Sequence, residues 1–208
     1  MSKLEAKSNP GEKGRVRLSQ QAIVAAAAHL FARDGFGATS LDDIAGSLGV
    51  TKGALYYHVK NKEEILRLIF LQVLNVAEEP LRRIAQSQQP PAEKLAQAIT
   101  HHTAVAADRS PQMSVFYREQ VHLSGPFSRE IALRKKAYER LIEQIIEQGI
   151  AVGIFKAEID PKIATFGILG MCNWLSQWYK PGGTYSQLQI GAFFSQIIEG
   201  GLLNRPTL

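Results

Sequence analysis

Residues 39–62, TSLDDIAGSLGVTKGALYYHVKNK, leave the chain less conformational choice than any other stretch. Ser40 is placed to cap a short helix whose inner face is Leu41, Ile44, Ala45 and Leu48. Gly49 follows the last apolar residue, where a left-handed backbone costs least without a Cβ. Val50 fills the gap, Thr51 caps a second helix, and Leu55 packs that helix inward. Ala45 is small where two crossing helices must approach. The spacing predicts a helix-turn-helix whose second helix enters the major groove of DNA.

The outward residues of the second helix suit that task. Lys52 stands at its start, Gly53 and Ala54 are small enough to admit a base edge, and Tyr56, Tyr57 and His58 form its far end. Lys60 and Lys62 follow at once. Amines, phenol hydroxyls and helix N-terminal N–H groups are what phosphate oxygens need as partners. Lys52, Gly53, Ala54 and Tyr57 are therefore expected near bases, and Thr39, Ser40, Thr51, Tyr56, His58 and Lys62 on phosphates. A helical hairpin with a glycine turn and a solvated basic end would share the outline. It would not need two caps, an inward apolar set and a basic, aromatic outer face together.

Extended to TSLDDIAGSLGVTKGALYYHVKNKEEIL, the stretch resembles the N-terminal domain of the tetracycline-repressor (TetR) family of bacterial transcriptional regulators. The resemblance runs over residues 18–66 or so; Val59 stands where the family usually has phenylalanine. It implies a homodimeric repressor bound to a pseudo-palindromic operator and released by a small molecule. The spacing by itself implies only the DNA-binding element.

The charge distribution agrees with that element. Of 24 Lys and Arg against 19 Asp and Glu, residues 1–62 hold 9 basic and 5 acidic side chains, and residues 63–208 hold 15 and 14. The positive excess sits where counterions would be displaced from DNA, although a basic tail that aids solubility would add to it as well. Residues 1–17 lack apolar periodicity and are expected to be a disordered basic arm. Residues 18–64 would be the helix-turn-helix domain and 65–208 a ligand-binding and dimerisation domain. The single cysteine, Cys172, excludes an internal disulfide and suits a reducing compartment. No secretory or membrane-spanning segment is visible, so a soluble cytoplasmic protein without membrane partners is expected.

The remaining chain reads as helix throughout. Ser19 caps a helix to about Asp34, ended by Gly35 and Gly37, with Phe36 tucked between. Asn61 caps a long helix in which Pro80 should introduce a kink or an end. Helices follow over residues 92–108, 111–122 and 126–149. Asp160-Pro161 starts one expected to continue through Trp174 and Trp178 to Pro181, and Ser186 starts the last. The fold class is all-α, with an N-terminal three-helix unit and a C-terminal helical domain.

The last two helices are apolar around much of their circumference and punctuated by glycine. Two from each subunit could form a four-helix homodimer interface, or both could be buried within one subunit. A ligand cavity is expected between the long helix and these closing helices. Its lining would include Phe70, Leu74, Phe116, Tyr117, Phe127, Tyr138, Met171, Trp174 and Trp178, with Arg118 and Arg134 for an anionic group. Ordinary core packing and a solvated basic face predict the same residues. The run MCNWLSQWYKPGGTYS resembles TetR-like regulators of lipid, sterol or aromatic-acid catabolism, and that resemblance implies an acyl-coenzyme A effector. His101, His102 and His122 lack companion ligands at metal-site spacing, so no metal or cofactor is expected. No nucleophile or phosphate-loop motif suggests an enzyme. A constitutive DNA-binding protein, and a helical carrier or enzyme with an incidental helix-turn-helix, remain the other readings.

Overall fold

The computed structural model describes residues 18–108 and 110–203; the arm expected over residues 1–17 lies outside them. The helices are α1 (Gln20–Asp34), α2 (Leu41–Ser47), α3 (Lys52–Tyr56), α4 (Lys62–Gln86), α5 (Pro91–Asp108), α6 (Ser110–Arg118), α7 (Gly125–Ala151), α8 (Pro161–Asn173), α9 (Leu175–Trp178) and α10 (Gln187–Leu202). A single 3₁₀ turn, Gln120–His122, follows α6. Among the described residues the one extended pairing is an isolated bridge between Phe155 and Leu203. The molecule is all-α.

Side chains three residues apart set most helix starts. Ser19 Oγ accepts from Ala22 N at 3.2 Å, and Asn61 Oδ1 from Glu64 N at 2.8 Å. Ser40 and Asp43 form a reciprocal box: Asp43 N donates to Ser40 Oγ at 3.1 Å and Ser40 N to Asp43 Oδ2 at 2.8 Å. Asp160 Oδ1 takes the N–H groups of Lys162 and Ile163, each at 2.9 Å. Gly49, between α2 and α3, has φ of 66°, in the left-handed region its missing Cβ makes cheap.

α4 belongs to both halves of the molecule. Its first turns bury Ile65, Leu66 and Ile69 against Ile23, Ala27 and Phe31 of α1, Ile44 of α2 and Leu55 of α3. Val59 is buried in the same core, so the smaller side chain is accommodated without exposure. Further along, Phe70, Val73, Leu74, Ala77 and Leu81 are buried as α4 packs on α5, α6 and α7. Pro80 does not end the helix, which continues to Gln86. The buried Ala77, Leu81 and Ala85 hold both sides of the proline in the core, and that packing outweighs one missing hydrogen bond.

Two other segments differ from their expected form. The helix beginning at Ser110 is α-helical only to Arg118, and its last turn tightens into the 3₁₀ turn. The helix starting at Pro161 is interrupted at Trp174. There Ser176 Oγ donates to the Asn173 carbonyl at 2.9 Å, and Gln177 N closes on the Trp174 carbonyl at 3.0 Å in a tighter turn.

α10 lies on α5, and Gly191 marks the contact: a Cβ there would sit 3.2 Å from Thr100 Cα. α8 touches α5, α7 and α10. Both closing helices nevertheless leave large apolar side chains in solvent: Ile163, Phe166 and Trp174 from α8 and its end, Leu188, Phe193 and Ile197 from α10. A Cβ added to Gly167, Gly170, Gly200 or Gly201 would meet nothing within 4 Å.

Candidate nucleic-acid interface and effector cavity

α3 is held from behind and open in front. Leu55 anchors it in the core, Thr51 Oγ1 accepts from Ala54 N at 3.3 Å, and Gln20 Nε2 of α1 donates to the His58 carbonyl at 3.2 Å. The outward residues are Lys52, Gly53, Tyr56 and Tyr57, with Ala54 and His58 half-buried beside them. Tyr57 is 90 % exposed, unusual for a large ring with no packing partner. Lys52 Nζ lies 2.8 Å from Asp42 Oδ2, an exposed pair that orients the amine across the α2–α3 face and costs little to exchange for a phosphate. Lys60 is exposed and its ammonium has no partner among the described residues.

The remaining residues expected at DNA have other partners. Ser40 and Thr51 are exposed, and each carries a helix cap. Thr39 is buried, its hydroxyl donating to the Gly35 carbonyl at 2.9 Å. Lys62 folds back rather than out. Its ammonium donates to the carbonyls of Phe36 at 2.7 Å and Thr39 at 2.8 Å, with Gly37 at 3.5 Å, and stands 4.4 Å from the centre of the Phe36 ring. These partners use its three donors on the α1–α2 turn. Lys62→Met is therefore expected to lower the stability of the protein by about 2 kcal/mol. Operator binding should weaken without a change in the slope of log K against log salt. A slope shallower by about one unit would instead place this ammonium on a phosphate.

Between α4, α5, α6, α7 and α8 lies a small, partly open cavity of about 40 Å³. Val73, Leu74, Ala77, Phe116 and Leu169 give it apolar walls, and His102, Tyr117, Lys135, Tyr138 and Glu139 supply polar groups. Leu74, Phe116, Tyr117 and Tyr138 of the expected lining meet here, and Phe70 stands behind Phe116 with ring centres 4.8 Å apart. The volume is close to that of one water molecule, because the aromatic side chains themselves fill the space.

The others lie elsewhere. Phe127 sits in a groove at the start of α4, under Arg67 at 5.0 Å. Arg118 reaches the Ala32 carbonyl of α1 at 3.2 Å, and Arg134 Nε pairs with Glu78 Oε1 at 3.0 Å while its Nη2 donates to Asn75. Met171 is half-buried outside the cavity lining, and Trp174 and Trp178 face solvent. Beside the apolar Val73, Ala77 and Leu169, the lining gains the polar His102, Lys135 and Glu139, none of them in the expected set. Tyr138 marks them in the sequence, with Lys135 one helical turn before it on α7 and Glu139 beside it.

His102 is the chemical centre of the cavity wall. Nδ1 is 2.8 Å from Tyr138 Oη and Nε2 is 2.7 Å from Asn173 Oδ1, so the neutral ring accepts from the phenol and donates to the amide. Burial lowers its pKa from 6.5 to about 4, against a smaller opposing contribution from Asn173. Burial also raises the Tyr117 and Tyr138 phenols, and pushes the Cys172 thiol up to about 11. Cys172 lies under Thr103, a position for an inert thiol. His101 bonds the Ala77 carbonyl and His122 sits beside Glu119, and among the described residues no set of three His, Cys, Asp or Glu could hold a metal. No helix among them is long and apolar enough to cross a membrane.

The helix-turn-helix half is joined to the cavity half by α4 and by contacts at the α1–α2 turn. Phe36 lies 5.1 Å from Phe31 and 5.0 Å from His122 on the 3₁₀ turn, and Arg118 bonds back to α1.

Comparison with known proteins adds two family matches. Residues 23–69 match the model for bacterial regulatory proteins of the tetR family, and residues 88–202 match the tetracyclin repressor-like C-terminal domain. The chain is 30 % identical to the HTH-type transcriptional repressor KstR2 of Mycolicibacterium smegmatis over 85 % of this chain and 86 % of that protein. It is 24 % identical to the fatty acid metabolism regulator protein of Bacillus subtilis, over 88 % of this chain and 95 % of that one. Among solved structures, the ketosteroid transcriptional regulator KstR2 of Mycobacterium tuberculosis superposes with a TM-score of 0.85 at 27 % identity, covering 92 % of this chain and 98 % of its own. AibR in complex with isovaleryl coenzyme A and operator DNA gives 0.75 at 29 % identity, over 88 % and 97 %.

Proposed function

The chain belongs to the TetR family of bacterial transcriptional regulators, and from that premise we propose that it is a homodimeric repressor released from its operator by a coenzyme A thioester. The observation that carries the DNA half of this reading is α3 itself, pinned behind by Leu55 and two backbone ties while Gly53, Tyr57 and Lys52, the last paired with the exposed Asp42, face outward. Each subunit places α3 in a major groove. Lys52, Gly53, Ala54 and Tyr57 approach bases, and Ser40, Thr51, Tyr56, His58 and Lys60 approach phosphates. Lys62 and Thr39 hold the α1–α2 turn in shape. The protein works in the cytoplasm, where its operator is, and acts as a regulator rather than an enzyme.

A single helix this short reads too few bases for genomic specificity, so a second copy is required. The exposed Ile163, Trp174, Leu188, Phe193 and Ile197 and the open glycines of α8 and α10 fit a mate of the same kind. Trp174 and Trp178 belong to that face in this reading, not to the effector cavity.

The effector reading rests on the narrow, largely apolar cavity, on relatives whose names concern fatty acid metabolism and a ketosteroid regulator, and on AibR, solved with isovaleryl coenzyme A. A space of 40 Å³ admits no acyl group, so binding must part α4, α7 and α8. Because α4 runs straight into the helix-turn-helix, the parted form holds the two α3 helices at a different separation. The effector shifts the population toward that form only by binding it more tightly than the operator-competent one.

Tyr57→Ala is expected to weaken operator binding by about 1–2 kcal/mol and to relax base preference at one position. An equal loss on every sequence, read by competition with mutated operators, would move Tyr57 to the backbone. For the effector, a mobility shift on the upstream region of its own gene, repeated with a panel of acyl-CoAs and free acids, should show release by thioesters. A complex indifferent to every small molecule would make the protein a constitutive DNA binder.

A further inference from the structure

Along α7 and α8 runs a trough that meets the 40 Å³ cavity at two residues. One stretch, of about 400 Å³, is lined by Gln120, Leu123, Ile131, Lys135, Glu139 and Phe166 among others. A second stretch, of about 460 Å³, continues it and shares Lys136, Glu139, Lys162 and Phe166. Lys135 and Glu139, one turn apart on α7, line both the trough and the cavity and so form the partition between them.

The three lysines of the trough differ from the arginines in and beside it. Arg134 is paired with Glu78, and Arg140 with Glu143 and Glu147. Lys135, Lys136 and Lys162 have no carboxylate within ion-pair distance among the described residues. The Lys135 ammonium bonds only the neutral Gln120 Oε1 at 3.0 Å, above the faces of Phe116 and Tyr117. Glu139 lines both stretches beside them, and Glu143, which also lines the second, is taken by Arg140. Three ammonium groups held on facing helices repel one another unless an anion joins them. Phe166, half-exposed beside Lys162, adds an aromatic face of the kind on which a base stacks.

We propose that this trough seats the phosphorylated end of the effector, and that the acyl end enters the cavity between Lys135 and Glu139. The inference rests on the thioester reading above and adds where the phosphates go. An apolar effector alone would have no use for three unpaired cations, and among the described residues Lys135 is the one lysine or arginine lining the cavity itself. The lysines supply point charges for phosphates. Threading the acyl end displaces the Lys135–Gln120 bond, which ties α7 to the 3₁₀ turn whose His122 touches Phe36.

The test is calorimetric titration of the wild type and of the double variant Lys136→Glu/Lys162→Glu with octanoyl-CoA, coenzyme A and octanoate, at low and high salt. The wild type should bind octanoyl-CoA most tightly, with an affinity that falls as salt rises. The variant should lose about tenfold or more for octanoyl-CoA and for coenzyme A. It should keep the wild-type affinity for octanoate and, without effector, for the operator, which shows that it is folded. Unchanged thioester affinity in the variant would overturn the assignment. So would a wild type that takes octanoate as tightly as octanoyl-CoA, or that takes neither coenzyme A species. In those cases operator release by some other small molecule would leave the regulator standing and remove only the trough.

Discussion

Ile197→Glu is expected to turn the dimer into monomers and to abolish specific operator binding at concentrations where the wild type saturates it. Ile197 is 64 % exposed in the single chain, with Phe193 one turn before it and open Gly200 and Gly201 after it. In a symmetric pair the substitution acts twice. Each carboxylate must enter an apolar contact without a partner, at about 2 kcal/mol per copy, so the dimer should weaken by about 4 kcal/mol or roughly a thousandfold. Operator binding follows, because one half-site holds too little energy to compete with non-specific DNA. Sedimentation velocity reads the first effect and a mobility shift the second. A variant that stays dimeric would put the interface elsewhere. A monomer that still binds the operator at full affinity would remove dimerisation from recognition.

His102 should make the protein acid-labile within the range where histidine titrates. With a folded pKa of about 4 against an ordinary 6.5, the unfolded chain binds the proton first as pH falls. Stability contributed above 6.5 is thus lost on the way down and is fully gone below about 4. The whole effect is about 3 kcal/mol, with about 2 kcal/mol of it between about pH 7 and about pH 5. His101, whose pKa is also lowered by burial, adds loss of the same sign. His102→Gln keeps a donor for Asn173 and an acceptor for Tyr138 but cannot be protonated. Urea unfolding at the two pH values should show a clearly smaller acid loss in this variant. Equal losses in the two proteins would mean that His102 is reached by water and titrates near its ordinary value.

What could be read from the chain alone was whatever a residue decides with its near neighbours. Ser19, Ser40, Thr51, Asn61, Asp160 and Ser186 each cap the helix that follows, because a cap is a bond to a backbone two or three residues on. The turn at Gly49 and the inward Leu55 were legible for the same reason. The candidate site was less so. Met171, Trp174 and Trp178 recur at helical spacing, which says they share a face and not what the face meets. The helix breaks at Trp174, and both tryptophans face out, beside Asn173, whose side chain is bonded to His102 from another helix. Lys60 and Lys62 look alike in sequence. Only the folded chain brings the Phe36 and Thr39 carbonyls, 26 and 23 residues back, to the second of them and leaves the first free. Nothing local at Pro80 tells that Ala77, Leu81 and Ala85 will hold the helix through it.

Hydroxyl-radical footprinting of the purified protein on its own upstream DNA, with the mass of the complex taken alongside, puts most at risk. Two protected patches related by a two-fold axis and about one helical turn apart, under a complex containing an even number of chains, are what paired α3 helices require. Duplex DNA left unprotected at low ionic strength, or a lone patch beneath a single chain, would contradict the account.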